Sequence, residues 1–269
     1  MRVACVQLNS RADVAENVRV ALGLVEEAAA AGARLIVLPE TWTCKGDHAA
    51  IAASAEPLDG PSTSALATLA ARLGVFVLAG SIYESVPGEE RFANASVLIG
   101  PDGSQLAVYR KIHLFDAEVA GTVYRESDEL IPGDKLVTAE VDGLPVGLTI
   151  CYDLRFPELY RALALAGARL LFVPAAFTAA SGALHWEVLL RARAIENGCF
   201  VLAADQVGEH LPGRACFGHS MIVDPRGTVL AECEDGPGYC VADLDLALVD
   251  TVREQLPVLR HRVPVVYGL

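Results

Sequence analysis

Residues 144–167 read LPVGLTICYDLRFPELYRALALAG. The segment opens as an apolar, β-branched run, the pattern of a buried strand, and then meets Cys151. A polar turn, Tyr152-Asp153-Leu154-Arg155, follows. Pro157 then stands where a first helical turn accepts it, and Gly167 stands where a helix stops. A cysteine at a strand-to-helix turn is held out of the sheet on a rigid base, and nearby helix amides favour its thiolate. That setting suits a nucleophile. A free cysteine is equally often a small buried hydrophobe, so the remaining chain has to decide.

Working outward toward the C-terminus, 168–173 and 200–204 read as strands around a helix at 183–197. That helix carries Leu184, Val188, Ala192 and Ile195 on its apolar side and a Glu187/Arg191 pair. Segments 219–223 and 228–232 flank the turn Asp224-Pro225-Arg226-Gly227 as a hairpin, with Cys199 and His219 read as core residues. A strand at 239–244 closes the pattern, and the tail beyond shows no clear period. Toward the N-terminus, 2–8 alternates as a strand. A capping box at Asp13–Glu16 then starts a helix with Val14, Val18, Leu22 and Val25 on one stripe, ended by Gly32. A buried strand at 34–38, a helix at 62–73 stopped by Gly74, and a strand at 75–83 come next. Segments 93–99 and 105–109 form a hairpin around Gly100-Pro101-Asp102-Gly103. Strand-helix-strand-helix followed by a hairpin thus occurs twice. No linker separates the halves, so one α/β domain over residues 1–269 is expected.

Hydrophobic residues make up 53% of the 269 and charged residues 20%, enough for a large core. With 21 basic and 34 acidic residues the net charge is −13, which argues against a nucleic-acid surface. The seven cysteines are odd in number and include no C-x-x-C pair, which predicts free thiols in a reducing, cytoplasmic compartment and no metal site. No run of about 18 apolar residues predicts a membrane span, and MRVACVQLNS lacks the apolar core of a signal peptide.

Three polar residues close apolar strand patterns: Glu40 after RLIVLP, Lys111 after LAVYR and Cys151 after LPVGLTI. Strand ends are where open α/β sheets present ligand sites. A carboxylate can take a thiol proton, a thiolate can attack a carbonyl carbon, and an ammonium can hold the oxyanion. As isolated residues, Glu40 and Lys111 read equally as solvated rim charges. Gly218-His219-Ser220-Met221-Ile222 lacks the second glycine of a nucleophile elbow, and Gly236-Pro237-Gly238 precedes a strand, not the helix of a dinucleotide loop.

With LIVLPETW around Glu40, YRKIHLFD around Lys111 and GLTICYDLRFPEL around Cys151, the chain resembles the nitrilase superfamily of carbon–nitrogen hydrolases over nearly its whole length. The resemblance implies a four-layer αββα sandwich that commonly pairs through its central helices into a homodimer or higher homo-oligomer. It also implies cofactor-free hydrolysis of a small-molecule amide through a thioester, with Glu40, Lys111 and Cys151 as the catalytic set. A further glutamate of the family maps onto Glu126 in RESDELIPGD, with Glu118 and Glu129 nearby. The backbone N–H of Tyr152 is the implied oxyanion partner of Lys111. SGALHWEVLLRARAIENGCFVLAA, FGHSMIVDPRGTVLAE and the tail VREQLPVLRHRVPVVYGL resemble the branch that holds deaminated glutathione amidase and ω-amidase, the former more than the latter. The remaining alternatives are an ω-amidase acting on 2-oxoglutaramate or 2-oxosuccinamate, an N-carbamoyl amino acid hydrolase, a true nitrilase, and a silent scaffold that kept the fold. His113, Arg155, Phe177, Thr178 and His185 are candidates for binding substrate. Structural roles are open to His113, Arg155 and His185.

Overall fold

Along the Arg2–Gln7 strand, Val3 and Cys5 enter one core while Ala4 and Val6 enter another. A period of two is what a strand covered on both faces requires. Leu35 and Val37 join the first core, Ile36 and Leu38 the second. The second core lies under helices α1 (Val14–Ala30) and α3 (Pro61–Leu73), reached through Ala21, Val25, Leu66 and Leu69; the short α2 (His48–Ser54) lies between them in the chain. The first core continues into a second sheet and onto α4 (Pro157–Leu165) and α5 (Ala179–Asn197) through Leu159, Leu163, Trp186 and Leu190. Two sheets back to back, each covered by helices, make a four-layer αββα sandwich. The computed structural model describes residues 1–267. Gly268 and Leu269, which end the tail segment and the expected 1–269 domain, lie outside the described residues.

The two sheets repeat one plan. In the first, Arg2–Gln7, Leu35–Val37 and Phe76–Leu78 run parallel, and Phe92–Ile99 pairs antiparallel with the last and with Gln105–Arg110. In the second, Leu144–Leu148, Leu170–Ala175 and Phe200–Asp205 run parallel. Met221–Val223 then pairs antiparallel with the last and with Val229–Glu232. An antiparallel edge strand precedes each set, Gly238–Asp243 in the first sheet and Thr138–Val141 in the second. The expected hairpins and repeated halves are all present.

Several elements differ from expectation. The 75–83 strand is two strands, Phe76–Leu78 and Ile82–Glu84, because Gly80 at φ 45° brings its backbone against Pro39 O, where a Cβ would sit 1.9 Å away. The buried stripe of α1 is Asn17, Ala21, Val25 and Ala28, so the expected stripe is rotated. Helix α5 begins at Ala179, and its supposed apolar side faces outward, with Leu184 72%, Val188 66% and Ile195 51% exposed. Its buried side holds Trp186, Leu190, Arg193 and Asn197, so apolar spacing alone chose the wrong face. His219 is not core: it sits at φ 55° before a strand, with its ring on Glu232 at 2.7 Å. The tail contains α6 (Leu248–Gln255) and the single turn α7 (Pro264–Tyr267). No helix among the described residues is long and apolar enough to cross a membrane.

Candidate active site

The Leu144–Leu148 strand leads through Thr149 and Ile150 into a 3-10 turn, Cys151–Arg155. Cys151 takes φ 47°, a left-handed conformation that non-glycine residues rarely hold unless the surroundings impose it. Asp153, fully buried, does so. Its carboxylate accepts from Ile150 N (2.8 Å) and Tyr109 Oη (2.6 Å) and lies 2.7 Å from His113 Nδ1. Arg193 of α5 donates twice to Leu154 O, at 3.0 and 2.7 Å. The turn is thus pinned from the first sheet and from α5, and Cys151 is 8% exposed at a cavity wall.

Glu40 arrives from the other sheet, two residues past Leu38. One carboxylate oxygen accepts from Asn94 Nδ2 (2.7 Å) and Lys111 Nζ (3.0 Å), the other from Ala176 N (2.8 Å). Lys111, 1% exposed, also reaches both oxygens of Glu126 at 3.0 and 2.8 Å, while Phe115 N holds Glu126 at 2.7 Å. Two carboxylates around one buried ammonium compensate it fully, which a buried charge requires. Glu118 takes no part in this cluster, and Glu129 pairs with His48 at 3.0 Å.

Burial works against the charge on Glu40, but Lys111, Lys45 and a hydrogen bond from Cys151 hold its carboxyl below the ordinary value. Burial likewise opposes the Lys111 charge, and Glu126 and Glu40 raise it well above normal. Burial and the Glu40 charge push the Cys151 thiol well up, with Lys111 and the Ala176 amide only partly offsetting them. The resting state is therefore carboxylate, ammonium and neutral thiol. The amides expected to favour the thiolate do not outweigh burial and the Glu40 charge. A neutral thiol becomes a nucleophile here only by giving its proton to a base as it attacks.

Among the expected binding residues, Arg155, Phe177 and Thr178 line the same cavity as the catalytic candidates, and so does Tyr152, the expected oxyanion partner. His113 does not. Its ring stacks on Phe156 at 3.6 Å and turns to Asp153, so it supports the cysteine turn. His185 lies in the second turn of α5, not at the helix start. It borders an adjoining groove with Arg155, 3.3 Å from that guanidinium. Among the described residues no group of three or more His, Cys, Asp or Glu side chains is placed to hold a metal ion. Sequence reasoning missed Asn94, Asp153 and Lys45. Asn94 had a signal, a polar residue inside the apolar strand FANASVLI; Lys45 had none.

The carbon-nitrogen hydrolase family profile matches residues 2–254. The chain belongs to the carbon-nitrogen hydrolase family. It is 44% identical to deaminated glutathione amidase of Rattus norvegicus over 99% of this chain and 83% of that protein. It is 36% identical to omega-amidase NIT2 of Homo sapiens over 100% of this chain and 97% of that one. The crystal structure of the C. elegans NitFhit protein superimposes with a TM-score of 0.92 at 36% identity, covering 99% of this chain and 66% of the worm chain. A carbon-nitrogen hydrolase of this kind is an amidase acting on non-peptide amides, and the buried Glu40–Lys111–Cys151 arrangement has the groups such hydrolysis needs.

Proposed function

We propose that this carbon-nitrogen hydrolase, acting as one catalytic domain, cleaves the amide of deaminated glutathione through a thioester on Cys151. The observation that carries the reading is the single cavity wall shared by the Glu40 carboxylate, the Lys111 ammonium and the Cys151 thiol. Glu40 takes the thiol proton as sulfur attacks the amide carbon. Lys111 and Tyr152 N hold the oxyanion, and collapse expels the amine with the proton from Glu40. Water, giving a proton to Glu40 beside Glu126, then attacks the thioester, releasing the carboxylic acid and the thiol. Glu126 fixes Lys111 throughout.

The likeness to deaminated glutathione amidase supports this substrate over the small ω-amidase substrates. The cavity wall also suits an anion, since Lys45, Lys111 and Arg155 face only Glu40 and Glu126 in a protein of net charge −13. The test is the kcat/KM ratio, measured with one enzyme preparation by chromatographic quantification of the acid or amino acid that each substrate releases. Deaminated glutathione is expected to exceed 2-oxoglutaramate, and a ratio favouring 2-oxoglutaramate or an N-carbamoyl amino acid overturns the reading. The exposed Leu184, Val188 and Ile195 on α5 support pairing of two copies through this helix, and seven free, buried cysteines support a cytoplasmic setting.

A further inference from the structure

Five residues beyond Glu40, the loop that follows it places Lys45 on the cavity wall, its own backbone N–H fixed on Arg11 O at 3.0 Å. Among the described residues the Lys45 ammonium has no hydrogen bond and no ion pair, although it is only partly exposed. Lys111, in the same cavity, has two carboxylates. Glu40 is near enough to act on Lys45 electrostatically, yet its two oxygens are taken by Asn94, Lys111 and Ala176 N.

The rest of the wall beside Lys45 is neutral. Burial, Lys45 and Arg214 lower His210 to about 3, so its ring is uncharged at neutral pH. Burial pushes the Cys216 thiol up to about 12, and burial also raises Tyr83. Burial opposes the charge of Lys45 itself, yet its pKa lies above the ordinary lysine value, and at neutral pH the nearby Glu40 carboxylate is the ionised group that favours its ammonium form. A half-desolvated ammonium that makes no hydrogen bond or direct ion pair is unfavourable, and an arriving anion supplies the contact the protein leaves unmade.

Position says which part of the substrate that anion belongs to. The cavity adjoins an outer groove and shares Phe115, Tyr152, Arg155 and Ser181 with it. Lys45, Tyr83, His210 and Cys216 border only the cavity. A bulky leaving part of an amide has room along the groove, whereas a short acyl chain has to turn toward Lys45.

We propose that Lys45 anchors a carboxylate at the far end of the acyl chain, selecting amides of short dicarboxylic acids. This rests on the amidase reading, in which the acyl group is carried on Cys151. Lys45 is then a specificity residue that takes no part in bond making. Arg155, at the shared edge, meets the leaving part.

The experiment separates binding from turnover. In the inert Cys151→Ala background, calorimetry compares glutaric acid monoamide with pentanamide, which has a methyl group where the monoamide has its carboxylate. Adding Lys45→Met is expected to weaken the monoamide about ten- to a hundredfold, the worth of one hydrogen-bonded charge pair, and to leave pentanamide within a few-fold. Lys45→Arg is expected to keep most of the preference. Should Lys45→Met fail to fold, Lys45→Gln gives the same comparison. Equal loss for both amides overturns the proposal, and so does loss of the monoamide in Arg155→Met but not in Lys45→Met. Because these are binding measurements, they stand whether or not the wild-type enzyme hydrolyses deaminated glutathione; that separate assay decides the amidase substrate.

Discussion

In the first half of the molecule the middle parallel strand, Leu35–Val37, runs on to Glu40; in the second half its counterpart, Leu170–Ala175, runs on to the bare amide of Ala176. The two ends meet, Ala176 N donating to Glu40 at 2.8 Å. The hairpins differ in the same way. Gln105–Arg110 delivers Lys111, while Val229–Glu232 delivers Cys233, a buried thiol whose Sγ lies 3.8 Å from Cys5 O. The first parallel strands reverse the roles. Leu144–Leu148 leads to the strained Cys151, whereas Arg2–Gln7 leads to Ser10, whose hydroxyl is spent on Trp42 O at 2.8 Å. One plan used twice sets where side chains converge but not which ones converge. The first half supplies the buried Glu40, Lys111 and Glu126 charges, held together so that each offsets the other's desolvation, and the second supplies the neutral Cys151 thiol and the Ala176 N–H.

The sharpest way to break that division is Cys151→Ala. Turnover should vanish while the fold is kept, and mass spectrometry of quenched wild-type enzyme should place an acyl adduct on the Cys151 peptide. An active Cys151→Ala protein ends the assignment. On the charged side, Glu40→Gln should cost about a hundred- to ten-thousandfold in kcat through loss of the base. Lys111→Ala should cost about a hundred- to a thousandfold and also lower Tm, because it removes the buried ammonium that Glu40 and Glu126 share, worth about 3–5 kcal/mol. An unchanged Tm would show that the charges do not depend on one another. Glu126→Gln should act less than Glu40→Gln, keep Tm near wild type, and leave Glu118→Gln as the silent control. A damaging Glu118→Gln beside a silent Glu126→Gln reverses the choice of carboxylate.

Acidity gives the mildest test. Lys111 and Lys45, against burial, keep Glu40 ionised below its ordinary 4.5, so activity is present above that pH and is lost only as pH falls through the lowered value. Burial and Glu40 keep Cys151 a thiol beyond its ordinary 9.0, so the proton that Glu40 must pass on is lost only at higher pH. The profile of kcat/KM should be flat through the neutral range, with its acid midpoint below the ordinary carboxylate value of 4.5 and its alkaline midpoint above the ordinary thiol value of 9.0. A rise toward a resting thiolate between pH 7 and 9 would show that the thiol is not protonated at rest.

The sequence by itself determined the two halves, both hairpins and the strand ends carrying Glu40, Lys111 and Cys151. Alternation, turn residues and helix stops are local signals, readable wherever neighbours in the chain are also neighbours in the fold. Three things were decided only by the tertiary structure. The buried side of α5 is chosen by Trp186 donating to His219 O at 2.8 Å and by Arg193 gripping the cysteine turn, contacts 33 and 39 residues apart that outweigh the spacing of Leu184, Val188 and Ile195. Glu126 is selected over Glu118 and Glu129 because only it reaches Lys111. Lys45, His113 and Arg155 look alike in sequence as polar residues near the three family blocks. Yet one stands on the cavity wall without a hydrogen bond or direct ion pair, one is turned away onto Asp153, and one sits at the shared edge. Charge compensation is a property of atoms brought together across the two sheets, and no local pattern encodes it.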